Sequence, residues 1–203
     1  MTDQTFVGLA STRARRDPIR AIVLHHTGGQ GGLDQLFRTL RTRTGPRSKD
    51  GLSVHYGVAP NGEMREWAPP ELVCLHAGPA NEWSIGFEVC SPGFPGKVRN
   101  QEKAKGIERV EYQDRLNGRR VKFVDYTVEQ YAALLPKIDA LCAKYDIPRK
   151  VPTEADGSLM KRVMTNRELG MFRGVMAHYH ITDGKADPGT QPLIRLMERW
   201  RWR

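Results

Sequence analysis

The chain has 203 residues, 39% of them hydrophobic, and a net charge of +9, enough for one domain with a sizeable core. No apolar stretch approaches the roughly 20 residues of a membrane-spanning helix, so none is expected. The positive charge draws the chain toward anions such as nucleic acid, acidic glycan polymers or bacterial envelopes.

Nucleic acid finds no further support. There is no helix-turn-helix signature, no zinc-finger spacing and no row of aromatics among the basic residues, which concentrate locally from Lys97 to Lys122. No stable nucleic-acid partner is therefore expected. Cys74, Cys90 and Cys142 are odd in number and lack Cys-x-x-Cys spacing. Reduced buried thiols are favoured over a disulfide, and nothing nearby supplies a base for a thiol nucleophile. Met1 to Asp17 shows no hydrophobic segment of the secretory type, so cytoplasmic synthesis without Sec export is the expectation.

Along the chain, Ala21 to Leu24 reads as a short buried strand closed by a polar pair and Gly28-Gly29. Leu33 to Arg43 reads as a helix with Leu33, Leu36, Phe37 and Leu40 on one face. Ser53 to Val58 alternates, placing Val54, Tyr56 and Val58 on one face and Ser53, His55 and Gly57 on the other. Asn61-Gly62 then makes a hairpin turn into a return strand, Glu63 to Trp67. Ser84 to Cys90 is another strand, stopped by Pro92-Gly93.

The charged stretch from Phe94 to Asp125 reads as a long surface insertion with a small hairpin around Asn117-Gly118. Thr127 and Gln130 form a capping-box pair opening a helix whose stripe is Val128, Tyr131, Leu135, Ile138, Cys142 and Tyr145. Pro136 inside it predicts a kink or a later start. A second charged stretch, Arg149 to Arg173, leads into Val175-Met176-Ala177, a strand ending at His178, and Pro192 to Trp200 suggests a closing helix. Strands interleaved with helices give an α/β fold. The expectation is a single domain, a central mixed β-sheet flanked by α-helices, with its core at about 20–190 and charged insertions at about 94–125 and 149–173.

Chemistry points to three places. His25 ends the first apolar run; if the strand continues, His25 and His26 face opposite ways and only one reaches a given site. A lone strand-end histidine is more often structural than ligating. His178 and His180 share a face if their strand continues, so either or both could bind a metal. Asp187 precedes the turn pair Pro188-Gly189, which either aims its carboxylate or makes it an ordinary turn cap. Two imidazoles and a carboxylate form a common shell for catalytic zinc, with the fourth position open. Lys185, beside it, would stabilise a developing oxyanion. Glu88, among Ile85, Phe87 and Val89, would be partly desolvated and raised toward the range of a general base. The alternative for Glu88 is an exposed strand residue.

Taken in order, Ile22-Val23-Leu24-His25-His26-Thr27, Leu75-His76-Ala77-Gly78, Asn81 with Ser84-Ile85-Gly86-Phe87-Glu88, and His178-Tyr179-His180-Ile181 with Lys185-Ala186-Asp187-Pro188-Gly189 resemble the zinc-dependent N-acetylmuramoyl-L-alanine amidases of the type-2 family. Peptidoglycan recognition proteins and phage amidases share that family's fold. The resemblance runs from about Arg20 to Gly189. It implies Zn2+ held by His25, His178 and Asp187, with Glu88 as general base and Lys185 on the oxyanion. It also implies that His76 and Asn81 line the substrate groove.

Many relatives carry a tyrosine where Val54 stands, which shifts the base role to Glu88 and places the chain nearer the cytosolic recycling branch. The loop from His178 to Asp187 is slightly shorter than in those recycling enzymes. The expected function is hydrolysis of the amide between N-acetylmuramic acid and L-alanine by a monomeric phage or prophage endolysin acting on the wall. The rivals are a cytosolic muropeptide-recycling amidase, a non-catalytic peptidoglycan-binding module, and a regulator binding a polymerase or nucleic acid.

Overall fold

The computed structural model describes residues 4–9, 12–29, 31–43, 51–97 and 106–201. The start of the N-terminal stretch, at 1–3, and residues 98–105 of the expected insertion and basic concentration lie outside the described residues. Nine strands are described: β1 Thr12–Ala14, β2 Ala21–His26, β3 Tyr56–Val58, β4 Met64–Glu66, β5 Leu72–Cys74, β6 Ser84–Val89, β7 Glu111–Leu116, β8 Arg119–Val124 and β9 Gly174–Ala177. The described α-helices are α1 Leu33–Thr42, α2 Val128–Lys144, α3 Asn166–Met171 and α4 Gln191–Trp200. No described helix is long and apolar enough to cross a membrane.

The central sheet has the order β4-β3-β6-β2-β9, parallel except for β4, which returns antiparallel from β3. This is the mixed sheet flanked by helices that strand–helix interleaving predicts. Parallel strands covered on both faces read as continuous apolar runs. Here Ile22, Leu24, Ile85, Phe87, Val89, Val175 and Ala177 face a core that also takes in residues of α2 and α4. Ala21, Val23 and Met176 face the other side, against Trp83, Met160, Met164 and Leu169. Each fully buried aliphatic side chain in these layers contributes about 1.5–3 kcal/mol.

A third cluster joins α1 to Phe6, Val54 and Trp67. The four α1 residues expected on one face, Leu33, Leu36, Phe37 and Leu40, are the buried ones. Gly57 makes this packing possible, since a Cβ there would meet the Trp67 ring and Leu33. The β3 strand is shorter than the alternation suggested, and Val54 packs in a different cluster from Tyr56 and Val58.

β7 and β8 form the hairpin expected at Asn117-Gly118, both residues having positive φ (50° and 76°), as a two-residue turn requires. The segment is not simply a solvent-facing loop. Leu116 and Phe123 lie in the main core, and the Tyr112 hydroxyl sits so close over Gly189 that a Cβ there would collide with it. The 149–173 stretch likewise buries Val151, Leu159, Met160, Met164 and Leu169.

Candidate active site

β2, β6 and β9 run parallel, so their carboxyl ends meet at one edge, where α/β folds place ligands. Register sets the level. His25 pairs with Glu88, and Leu24 pairs with Ala177, so His178 follows at the same height. Pleating turns His25 away from Leu24, toward the face shared by Ala21 and Val23. His26 points oppositely, its ring set edge-on against Phe94 and its Nδ1 accepting from the Gly28 N–H.

β9 stops at Ala177, and His178–His180 form a single 3-10 turn. The two histidines therefore do not share a strand face. His180 is fully buried, with Nδ1 accepting from the Ala177 N–H at 3.1 Å and Nε2 bonded to the Met160 carbonyl at 2.9 Å. It has no nitrogen left to ligate.

Three donors converge. His25 Nδ1 lies 3.0 Å from His178 Nδ1 and 3.2 Å from Asp187 Oδ2, and His178 Nδ1 lies 3.1 Å from that same oxygen. Among the described residues this is the one group able to hold a metal. Ligands of a tetrahedral zinc at ~2.0–2.1 Å stand about 3.3 Å apart, so the set fits such an ion closely. Asp187 is joined to Pro188 by a cis peptide bond.

The electrostatics suit this donor set. Burial, then the neighbouring His178, pushes His25 down to about 4, which keeps it a neutral ligand. Burial works to raise Asp187, but the imidazoles of His178 and His25 beside it outweigh burial and hold the carboxyl well below its usual range. Glu88 is pushed up to about 8, mainly by burial and then by the Asp187 carboxylate, with Lys185 and Arg43 acting the other way. Its desolvation does not come from Ile85, Phe87 and Val89, as expected, because these face the core on the opposite side of β6. It comes from the walls of a cleft of about 590 Å³, lined by His25, His76, Glu88, His178, Lys185 and Asp187 among others.

The two expected groove residues differ. His76 reaches the cleft, and its Nδ1 is 3.0 Å from His25 Nε2. Asn81 is not in the cleft wall; its amide oxygen accepts from the His76 and Ala77 N–H groups at 3.0 and 2.6 Å. It caps the loop that carries His76 instead. His55 is also withdrawn from the cleft: it is fully buried, accepting from the Gly86 N–H and bonded to the Leu72 carbonyl.

Tyr126 was not foreseen from sequence. Its buried hydroxyl donates to the His25 carbonyl at 2.9 Å and holds the end of β2. A lone tyrosine after a charged stretch carries no signal for this. The three cysteines are buried free thiols.

A family model described as N-acetylmuramoyl-L-alanine amidase matches residues 15–190. The chain belongs to that amidase family. It is a peptidoglycan amide hydrolase by that membership. No curated protein sequence matches it.

Solved amidases share the fold at low identity. LysC of Clostridium intestinale URNW is 15% identical with a TM-score of 0.52, covering 90% of this chain and 85% of that one. A selenomethionine derivative of AmpD is 17% identical with a TM-score of 0.56, covering 98% and 94%. AmpDh3 of Pseudomonas aeruginosa, solved with an anhydromuramic pentapeptide, is 19% identical with a TM-score of 0.54, covering 98% and 66%.

Proposed function

We propose that this amidase is a zinc enzyme that cuts the bond between the lactyl group of N-acetylmuramic acid and the L-alanine of the stem peptide. The observation carrying the reading is the triangle of His25, His178 and Asp187 donors, 3.0–3.2 Å on a side. When bound, zinc supplies Lewis acidity, polarising a carbonyl and acidifying water. Glu88 takes the proton of the attacking water and passes it to the alanine nitrogen as the C–N bond breaks. Burial raises its pKa to about 8, and positive charge added among the donors would lower it again, favouring the carboxylate form that a base needs. The Lys185 ammonium, on the cleft wall, faces the negative charge that develops on the carbonyl oxygen.

The substrate we favour is the polymeric wall, attacked by a phage or prophage endolysin. Stem-peptide carboxylates make that polymer anionic, and a chain of net charge +9 is drawn to it. A cytosolic recycling amidase is the second reading, supported by the Ser84-Ile85-Gly86-Phe87-Glu88 pattern resembling those enzymes. A purely binding module is disfavoured by Asp187, the third donor, and a nucleic-acid-binding regulator by the absence of any such motif.

Purified muropeptides, incubated with and without chelator and read by mass spectrometry, test the assignment. Free stem peptide should appear, vanish with chelator and return with zinc. Cleavage between sugars would overturn it and remove Glu88 from its role.

A further inference from the structure

One face of β6 presents Ser84, Gly86 and Glu88, and only the last has a role in the reaction above. The other two meet His76. A Cβ on Gly86 would lie 2.7–2.8 Å from the His76 ring, so the glycine is the space in which that ring sits. Ser84 Oγ lies 3.4 Å from His76 Nε2 and donates to the Ala80 carbonyl at 2.6 Å. On its other edge, His76 Nδ1 meets His25 Nε2 at 3.0 Å.

One bond in this chain has a direction fixed by its acceptor. A carbonyl can only accept, so the Ser84 hydroxyl proton points at Ala80, leaving a lone pair toward His76. That lone pair, 3.4 Å away, favours a His76 proton on Nε2, which leaves Nδ1 bare. A bare Nδ1 at 3.0 Å obliges His25 to hold its proton on Nε2. The result is a His25 Nδ1 lone pair aimed at His178 and Asp187.

We propose that the Ala80 carbonyl, Ser84 and His76 form a relay that sets the tautomer and ring orientation of His25. His76 is thus a positioning residue, acting through a ligand rather than on substrate. The inference rests on the zinc reading for its purpose, though the relay exists in the metal-free protein. Its supports are rigid. Asn81 pins the His76 backbone, and the half-buried Arg15 guanidinium donates to the carbonyls of Pro70, Asn81, Glu82 and Ser84 at 2.6–3.1 Å, tying down the turn that carries both. Groups that orient a metal-bound histidine in this way are typically worth 10–100-fold in metal affinity.

The test uses the full chain and zinc alone. Zinc affinity, from competition with a chromophoric chelator, should fall about 10–100-fold in His76→Ala and less in Ser84→Ala. His76→Gln, which can accept from His25 and donate to Ser84, should recover much of the loss. Long-range 15N NMR of the metal-free parent should show the His25 proton on Nε2, shifting to a mixture in Ser84→Ala. Unaltered zinc affinity in a folded His76→Ala protein would overturn the relay, as would a His25 proton on Nδ1 in the parent. Failure of the parent to bind zinc would sink the zinc reading instead, while the NMR measurement still decides the relay.

Discussion

Glu88 and Lys185 line the same cleft, yet their substitutions should be distinguishable. Glu88→Gln keeps shape and removes the base, so kcat should drop about 10²–10⁴-fold while zinc stays bound. Retained turnover in that variant would remove Glu88 from the proton path. Lys185→Met should lower kcat by about 10²–10³-fold with little change in KM, because its ammonium acts on charge present only in the transition state. His55 gives a different kind of prediction. Burial pushes it down to about 3 from the ordinary 6.5, so as pH falls the unfolded chain takes up this proton before the folded one. The stability it contributes is whole above 6.5 and is lost progressively toward 3. The denaturant midpoint of metal-free protein should therefore drop between about pH 7 and about pH 5. A flat midpoint over that interval would contradict the neutral buried ring.

At the scale of elements, the capping box that opens α2 is formed on both sides. Thr127 Oγ1 accepts from the Gln130 N–H, and the Gln130 side chain accepts from the Thr127 N–H. The Thr127 hydroxyl also donates to the Pro60 carbonyl. Thr127→Ala should cost about 1 kcal/mol, read as a lowered unfolding midpoint with unchanged zinc content. This cap was legible because it is local in sequence, as were the α1 face and the Asn117-Gly118 turn. The α2 face was only half legible. Leu134 and Leu141 are buried where Val128 and Leu135 were expected, and Val128 is 81% exposed. An apolar stripe gives a helix its period, whereas the rotation of that stripe is chosen by the sheet and α4. Pro136 neither ended nor delayed α2, which runs from Val128 to Lys144. The site shows the same division. Three distant residues could be named from their motifs, but only the His25–Glu88 register and the early stop of β9 separate His178 from His180. Asn81 and His76 changed meaning for a related reason: a motif marks a loop near a site without saying which way its side chains bond.

Across the whole molecule, part of the positive charge lies on an element that does not line the cleft. The cleft carries the proposed reacting groups, while the β7–β8 hairpin exposes Arg115, Arg120 and Lys122 on its outer face and Arg119 beside its turn. The inner edge of the same hairpin braces the segment after Asp187, through Tyr112 over Gly189 and Asp114 Oδ2 accepting from the Thr190 hydroxyl at 2.9 Å. Neutralising the outer residues should therefore leave the brace intact. If the basic surface gathers an anionic polymer, salt should slow wall lysis strongly, since screening shortens from about 10 Å at 0.1 M to about 3 Å at 1 M. Turnover of small soluble muropeptides, which need only the cleft, should change far less. The triple variant Arg119→Gln, Arg120→Gln, Lys122→Gln should reproduce that split at low salt, with lysis of purified sacculi reduced several-fold and muropeptide turnover near the parent rate. Equal loss on both substrates would mean that the hairpin acts through the Asp187 segment. Equal retention on both would mean that its charge does not recruit the wall, and would favour the recycling reading over the endolysin.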